Sequence, residues 1–482
     1  MNKFLFVILF LAFANFSTAQ VVYSLDDIIG LAKGQSSQAK QAETRKENRF
    51  WQYRLFKSNY NPQLALSGSL PGYSSQFVPV TQPDGDISYV PVRQTSSSLN
   101  LGLLQPISAT GGSVSINTNV SQFNNLETNV TGYRTTLVDL TLNQPLFSFN
   151  QLRWDKKTEP LRFEESKRSY VEEMEFISRN SVTRFFDYLD AQVNFQIAQF
   201  NLANNDTIYN IETGRYNIGT TSEDKLLQVE LQLLRSRQDL SQAQLDLQTS
   251  RLAIRIYTGM SDEELFDLAL PEKIPVIIVD EATALQYAKD NRSDFISFER
   301  RRLEADRQVA QAKGERFRMD LNASVGLNSA GSAFDESYLD PNSQQVVNVS
   351  LFIPIVNWGR NEARMKTAQA NKKLTDYVIA QEEQNFEQEI LTLTRRLGML
   401  NLQIEISKKS DKVAQKRYEV AQNRYLIGKI DITNLNIALT EKDNAKRSYI
   451  NALRAYWIAY FDLRRLTLYD FAGGTLLYTS DE

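Results

Sequence analysis

The sequence predicts a mainly α-helical protein that also carries β-strands of a length suited to a membrane, built from two duplicated strand-and-long-helix repeats. Three observations predict it. A motif recurs at one constant offset, stretches of nearly sixty residues run with hardly a glycine or proline, and period-two segments gather at the same place in each repeat.

Composition narrows the function classes first. The chain has 482 residues, 54 of them basic and 57 acidic, for a net charge of −3, so the net-basic surface of a nucleic-acid binder is missing and no nucleic-acid partner is expected. Histidine and cysteine are both absent. That removes Ser-His-Asp and Cys-His nucleophiles, His- or Cys-based zinc sites, haem and iron–sulfur ligation, and no carboxylate dyad or serine–lysine pair is placed in their stead. No catalytic residue, cofactor or resident metal is therefore expected, and the chain does not read as an enzyme.

The first element is a secretory signal over residues 1–19. Lys3 precedes an apolar run from Phe4 to Phe13, and Ser17-Thr18-Ala19 forms a small-residue cleavage site. The run is far short of the ~20 residues of a spanning helix. The mature chain would begin at Gln20, not at a cysteine, so no lipid anchor is expected. Beyond it the best apolar run is only Ile274 to Val279, so entry into a membrane would have to use β-strands.

The duplication sets the frame for the rest. Arg215-Tyr216-Asn217-Ile218-Gly219 returns as Arg424-Tyr425-Leu426-Ile427-Gly428, an offset of 209 that also carries Pro145 onto Pro354 and Arg255 onto Arg464. Upstream, Ile29 to Lys33 matches Leu285 to Lys289 at an offset of 256, which makes the first half 47 residues longer. The surplus falls in the period-two region. Leu64, Leu66 and Leu70 alternate with Ala65, Ser67 and Ser69; Val138, Leu140 and Leu142 return in the first half; Met319 to Leu327 and Val347 to Ile353 form the pair in the second. Only the first half adds Leu99, Leu101 and Leu103, then Val114, Ile116 and Val120 after Gly111-Gly112. The reading is four strands plus two, each of about 8 to 11 residues, the length of a tilted membrane strand. Strands of a soluble sandwich would alternate in the same way.

The helices follow. Pro160 to Ile218 and Glu362 to Ile427 are each broken by a single glycine, and at ~1.5 Å per residue they are rods of roughly 90 to 100 Å. Gly219 and Gly428 suit left-handed helix ends, and the next helix restarts at once, with Thr221 and Asp224 in the first repeat and Asp431 in the second as capping groups. A sevenfold rhythm follows. Leu226, Leu233, Leu240, Leu247 and Ile254 mark one seam in the first repeat, with small residues three positions on; Ala438, Ala445, Ala452 and Ala459 mark the second repeat, as in helices that coil around neighbours.

This layout resembles the TolC family of outer-membrane efflux proteins. The resemblance covers the whole mature chain and rests on the two Arg-Tyr-x-Ile-Gly tips and on the strand exits at 145–147 and 354–356. It divides the chain into the signal peptide (1–19), a first repeat (20–270), an equatorial linker (271–280), a second repeat (281–470) and a tail (471–482). The first repeat holds a helix, four strands with an extra hairpin near 96–122, and a helical hairpin tipped at 215–224; the second holds a helix, two strands and a helical hairpin tipped at 424–434.

The resemblance implies a homotrimer whose strands close a β-barrel in the lipid of the outer membrane, continuous with a periplasmic α-helical coiled-coil barrel. It also implies docking of a periplasmic adaptor and an inner-membrane pump at tip residues Arg215, Tyr216, Gly219, Arg424, Tyr425 and Gly428. Tyr425 falls on the tip tyrosine that links neighbouring helices in the family. The positions of its acidic constriction carry Asn434 and Ile437 here, so Glu223, Asp224 and Asp431 stand as the nearby sources of charge at the mouth, and the last two also suit capping. The function implied is a passive exit duct for efflux or secretion; the alternative is a trimeric structural or adhesion coiled coil. Four plus two strands per chain leave two arrangements open, eighteen strands in a trimer or a hairpin outside a wall of twelve.

Overall fold

The structure, a computed structural model, describes residues 21–260, 265–271, 273–275 and 277–479; the expected signal peptide lies outside the described residues, as does part of the expected linker. A short strand β1 (Val21–Tyr23) leads into helices α1 (Leu25–Gln35) and α2 (Ser37–Ser58). Four strands follow, β2 (Gln63–Thr81), β3 (Ile87–Ile107), β4 (Gly112–Asn125) and β5 (Val130–Leu146), then the long helix α3 (Gln151–Asn217) and its return α4 (Glu223–Thr258). After β6 (Phe266–Leu268) the plan recurs as α5 (Glu281–Asn291), α6 (Ser293–Gly314), β7 (Arg318–Gly331), β8 (Asn342–Phe352), α7 (Arg360–Leu426) and α8 (Ile432–Thr467). Two-residue strands β9 (Tyr469–Asp470) and β10 (Thr475–Leu476) close the described chain.

Corresponding helices have equal lengths. α1 and α5 have 11 residues, α2 and α6 have 22, α3 and α7 have 67, and α4 and α8 have 36. α3 begins at Gln151 and contains Pro160, so the helix starts well before the proline taken from the sequence as its boundary. A proline removes one backbone donor and crowds the preceding turn, but does not end a helix held along its length by neighbours.

The chain divides into two units. One comprises 45–169 and 293–386 and contains the large sheet, in the order β2-β3-β4-β5-β7-β8, antiparallel throughout. Its strands have 19, 21, 14, 17, 14 and 11 residues, and all but the last exceed the 8 to 11 expected. For β2 and β3 the reason is visible in their hairpin. Val78, Val80, Val90 and Val92 lie on one face and Tyr73, Phe77, Tyr89 and Ile87 on the other, so the two-residue rhythm fades while the ladder continues.

Below that hairpin the faces separate cleanly. Leu64, Leu103, Ile116, Leu140 and Val325 are register partners across five adjacent strands, and Val114, Leu142, Ala323 and Val347 form a second apolar row. The opposite face carries Ala65, Gly102, Asn117, Asp139, Gly326 and Gln344 in one row. In the same unit α6 is tied to α3 by Arg300 to Glu165 at 2.6 Å and Arg162 to Glu304 at 2.6 Å, and to α7 by Arg302 to Glu383 at 2.9 Å.

The second unit comprises 1–44, 170–292 and 387–482. β1 and β6 pair in parallel, and Phe185, Phe186, Tyr188, Phe266 and Ile254 are buried. The Tyr188 hydroxyl donates to the Phe266 carbonyl at 2.6 Å, which satisfies a buried polar group. Glu175 of α3 is also buried, and it is paired with Lys33 of α1 at 2.7 Å and Arg464 of α8 at 2.8 Å, so its charge is compensated from two helices. No helix among the described residues is long and apolar enough to cross a membrane.

Candidate functional site: the two helical tips

Both tips lie in the second unit, and both turn by the same backbone device. α3 ends ahead of Gly219 (φ +74°) and α7 ahead of Gly428 (φ +76°). The Thr220 amide donates to the Arg215 carbonyl at 2.8 Å and the Gly219 amide to Tyr216 at 2.9 Å; Lys429 to Arg424 and Gly428 to Tyr425 repeat the pair at the same distances. This pattern satisfies the last helical carbonyls, and glycine takes the left-handed position without a Cβ penalty.

The restarts differ. Asp431 caps α8, accepting the Asn434 amide at 2.9 Å and the Asn434 side-chain amide at 2.8 Å on the same oxygen. α4 begins after Ser222, which makes no side-chain capping bond, so Thr221 is not its N-cap as the spacing suggested. Thr221 instead hydrogen-bonds Glu212. Glu223 and Asp224 are exposed in the first turn of α4, where their charge opposes the positive end of the helix dipole.

The two tips meet through a buried polar cluster. The Tyr425 hydroxyl donates to Glu212 Oε1 at 2.6 Å, and Arg215 Nη1 donates to the same oxygen at 2.6 Å. Arg215 Nη2 reaches the Leu426 carbonyl at 3.3 Å, and its guanidinium lies 5.4 Å from the centre of the Tyr425 ring. Around them Ile208, Val229, Tyr418, Ile432, Leu435, Ala438 and Leu439 form an apolar core. Burial alone would raise the Glu212 carboxyl, but hydrogen bonds from Tyr425, Arg215 and Thr221, with the charge of Arg215, hold it below the usual range. Burial and the Glu212 carboxylate push the Tyr425 phenol upward. A cleft of about 420 Å³ opens beside the cluster, with Lys225, Gly428 and Asp431 on its wall.

Of the residues singled out from the sequence, the structure thus brings Arg215, Tyr425, Gly428 and Asp431 to one cleft. Tyr216, Gly219, Arg424 and Asn434 are exposed, as is Ile437. Glu212, the acceptor at the centre, was not read from the sequence. The signal was present: the position 209 residues later is Ala421, so the duplication is broken at the acceptor of this cluster.

Two apolar seams also remain uncovered within the chain. On α7, Met399, Ile406, Val413 and Val420 recur every seventh residue at 51 to 60% exposure, and Ile427 continues the series. On α4, Leu227, Leu231, Leu234, Leu245 and Leu252 lie about half exposed, beside the seam of Leu233 and Ile254 that is buried.

An amphipathic sheet joined in one chain to long helical hairpins with exposed heptad seams is the architecture of outer-membrane channel subunits. The family model for outer membrane efflux proteins matches residues 107–260 and 284–467, more than half of the chain, and the chain belongs to that family. No curated protein sequence matches it. The fold is similar to that of the CmeC outer membrane channel of Campylobacter jejuni (TM-score 0.67, 17% identity, 95% of this chain and 87% of that one). It is similar also to the outer membrane protein VceC of Vibrio cholerae (0.63, 14%, 94% and 96%) and to the MtrE outer membrane channel of Neisseria gonorrhoeae in its open state (0.62, 16%, 92% and 88%).

Proposed function

We propose that the protein is the exit duct of a tripartite efflux or type I secretion system, working as a homotrimer. In this reading its strands sit in outer-membrane lipid, its helical hairpins line a periplasmic tunnel, and solutes pass without any bond being made or broken. The observation that carries the reading is the large sheet, which below the upper β2–β3 hairpin is apolar on one face and polar on the other, and which is open at the β2 and β8 edges. Open edges and exposed apolar rows are unstable in isolation; lipid covers the rows, and further copies of the chain complete the edges. The seams on α4 and α7 supply the matching helical contacts.

The tips would receive a periplasmic adaptor through Arg215, Tyr216, Gly219, Arg424, Tyr425 and Gly428, with an inner-membrane pump choosing the substrate. The Tyr425–Glu212–Arg215 cluster holds the mouth narrow, with Asp431, Asn434, Glu223 and Asp224 at its rim. Export follows from the signal at 1–19, with a mature chain that begins at Gln20 and carries no lipid.

The test pairs the mass of the detergent-extracted protein with single-channel conductance in a planar bilayer, for the native chain and for Tyr425→Ala. A trimer that conducts, with a larger open fraction in Tyr425→Ala, supports the duct. A monomer, or a trimer silent in both forms, overturns it in favour of a structural coiled coil.

A further inference from the structure

Building on the trimeric reading, we propose that the β3–β4 hairpin is part of the barrel wall, so that three copies close a barrel of eighteen strands, the β2 edge of one copy pairing with the β8 edge of the next. The hairpin lies inside the six-stranded order, between β2 and β5, and its residues continue the rows of both faces. Leu103 and Ile116 sit in the apolar row between Leu64 and Leu140, at 37 and 46% exposure. On the other face Gly102 and Asn117 sit between Ala65 and Asp139. A hairpin folded outside the wall would have no reason to keep lipid-type residues in register with the wall on one side and water-type residues on the other.

Strand parity supplies the second argument. An antiparallel sheet of six strands has edges that run in opposite directions, so β8 of one copy meets β2 of the next antiparallel and the ladder continues around the ring without a defect. The facing segments are compatible. Gln63–Ser69 of β2 precedes the register shift near Pro71 and contains no proline, and β8 contains none either, so both edges offer unbroken donors and acceptors. A closed barrel leaves no edge in the lipid.

Barrel diameter grows roughly linearly with strand number, so the proposal predicts a wall about one and a half times as wide as that of a twelve-stranded relative. Electron microscopy of the intact trimer measures that width. The natural absence of cysteine allows single-cysteine scanning of the same particle in lipid. Leu101→Cys and Ile116→Cys are expected to react with a lipid-phase thiol probe, and Asn100→Cys and Asn117→Cys with a charged water-soluble one. A trimer with a twelve-strand diameter, in which all four positions react from water, overturns the eighteen-stranded wall and leaves the duct intact. A particle that is not a trimer overturns both.

Discussion

Tyr425 and Glu212, 213 positions apart, share a hydrogen bond of 2.6 Å that fastens the end of α7 to α3. Arg215 donates to the same carboxylate oxygen, so that one oxygen holds two donors at once. Tyr425→Phe removes one donor and leaves the ion pair. A hydrogen bond to a charged partner contributes about 1.5–3 kcal/mol. The expected outcome is a loss of up to about that size in local stability, read as faster hydrogen exchange at 418–430, and a higher open fraction in bilayers. Glu212→Gln is expected to open the mouth further, because Arg215 loses its counter-charge.

Acid should act on the same cluster. The Glu212 carboxyl is held low, so its contribution is present above the unfolded carboxylate value of ~4.3 and is lost as pH falls through the folded value. The Tyr425 phenol is raised, so its contribution persists below ~10 and is lost only as pH rises beyond that. The cluster is therefore level across neutral pH. Conductance traces at pH 5 and pH 8 should match in their open fraction, with opening only in stronger acid.

A different carboxylate should give a slope near neutrality. Burial raises Asp190 of α3 to about 6, with Arg454 at 3.6 Å opposing the shift and Asp187 adding to it. A raised value means the folded chain holds the proton more tightly than the unfolded one, so this group stabilises in acid and its contribution is lost as pH rises through about 6. Thermal unfolding of Asp190→Asn across pH 4 to 8 should show a flatter profile than the native chain over that interval.

Capping and gating are separable at the second tip. Asp431 accepts from the Asn434 amide, whereas Ser222 makes no side-chain capping bond at the first tip. Asp431→Ala should cost about 1 kcal/mol and Ser222→Ala much less, measured by thermal unfolding. Cation selectivity that changes in Asp431→Ser, which keeps a cap but removes the charge, as much as in Asp431→Ala would assign the residue to the mouth as well; a change in Asp431→Ala alone would leave it a cap.

The exposed seam of α7 can be tested by charge. Val413 is 60% exposed, so Val413→Glu should leave the helix formed, with its circular dichroism unchanged. In the proposed trimer the same change places a carboxylate in an apolar contact. Mass measurement in detergent should then report loss of the trimer, while an unchanged trimer would remove this seam from the interface.

Much of the fold was legible because its signals are local. The lengths of α3 and α7 follow from residues that tolerate a long helix and from Gly219 and Gly428, which stop it. The six strands show their alternation wherever one side faces water and the other does not. Legibility ended where an environment is made by distant parts of the chain. Nothing near Glu212 announces Tyr425, because the contact exists only once α3 and α7 pack together. The upper β2–β3 hairpin escaped because both of its faces mix apolar and polar residues. Ser222 in place of Thr221 is a shift of one residue, produced by the glycine turn that precedes it.

Duplication gave the chain two turns with one backbone geometry, and the exchange of Glu212 for Ala421 made them chemically different. A protein that grips the shared turn would count two equivalent places on every subunit, whereas one that senses the tyrosine–carboxylate contact would count one. In the proposed trimer the first would follow a sixfold stoichiometry and the second a threefold one.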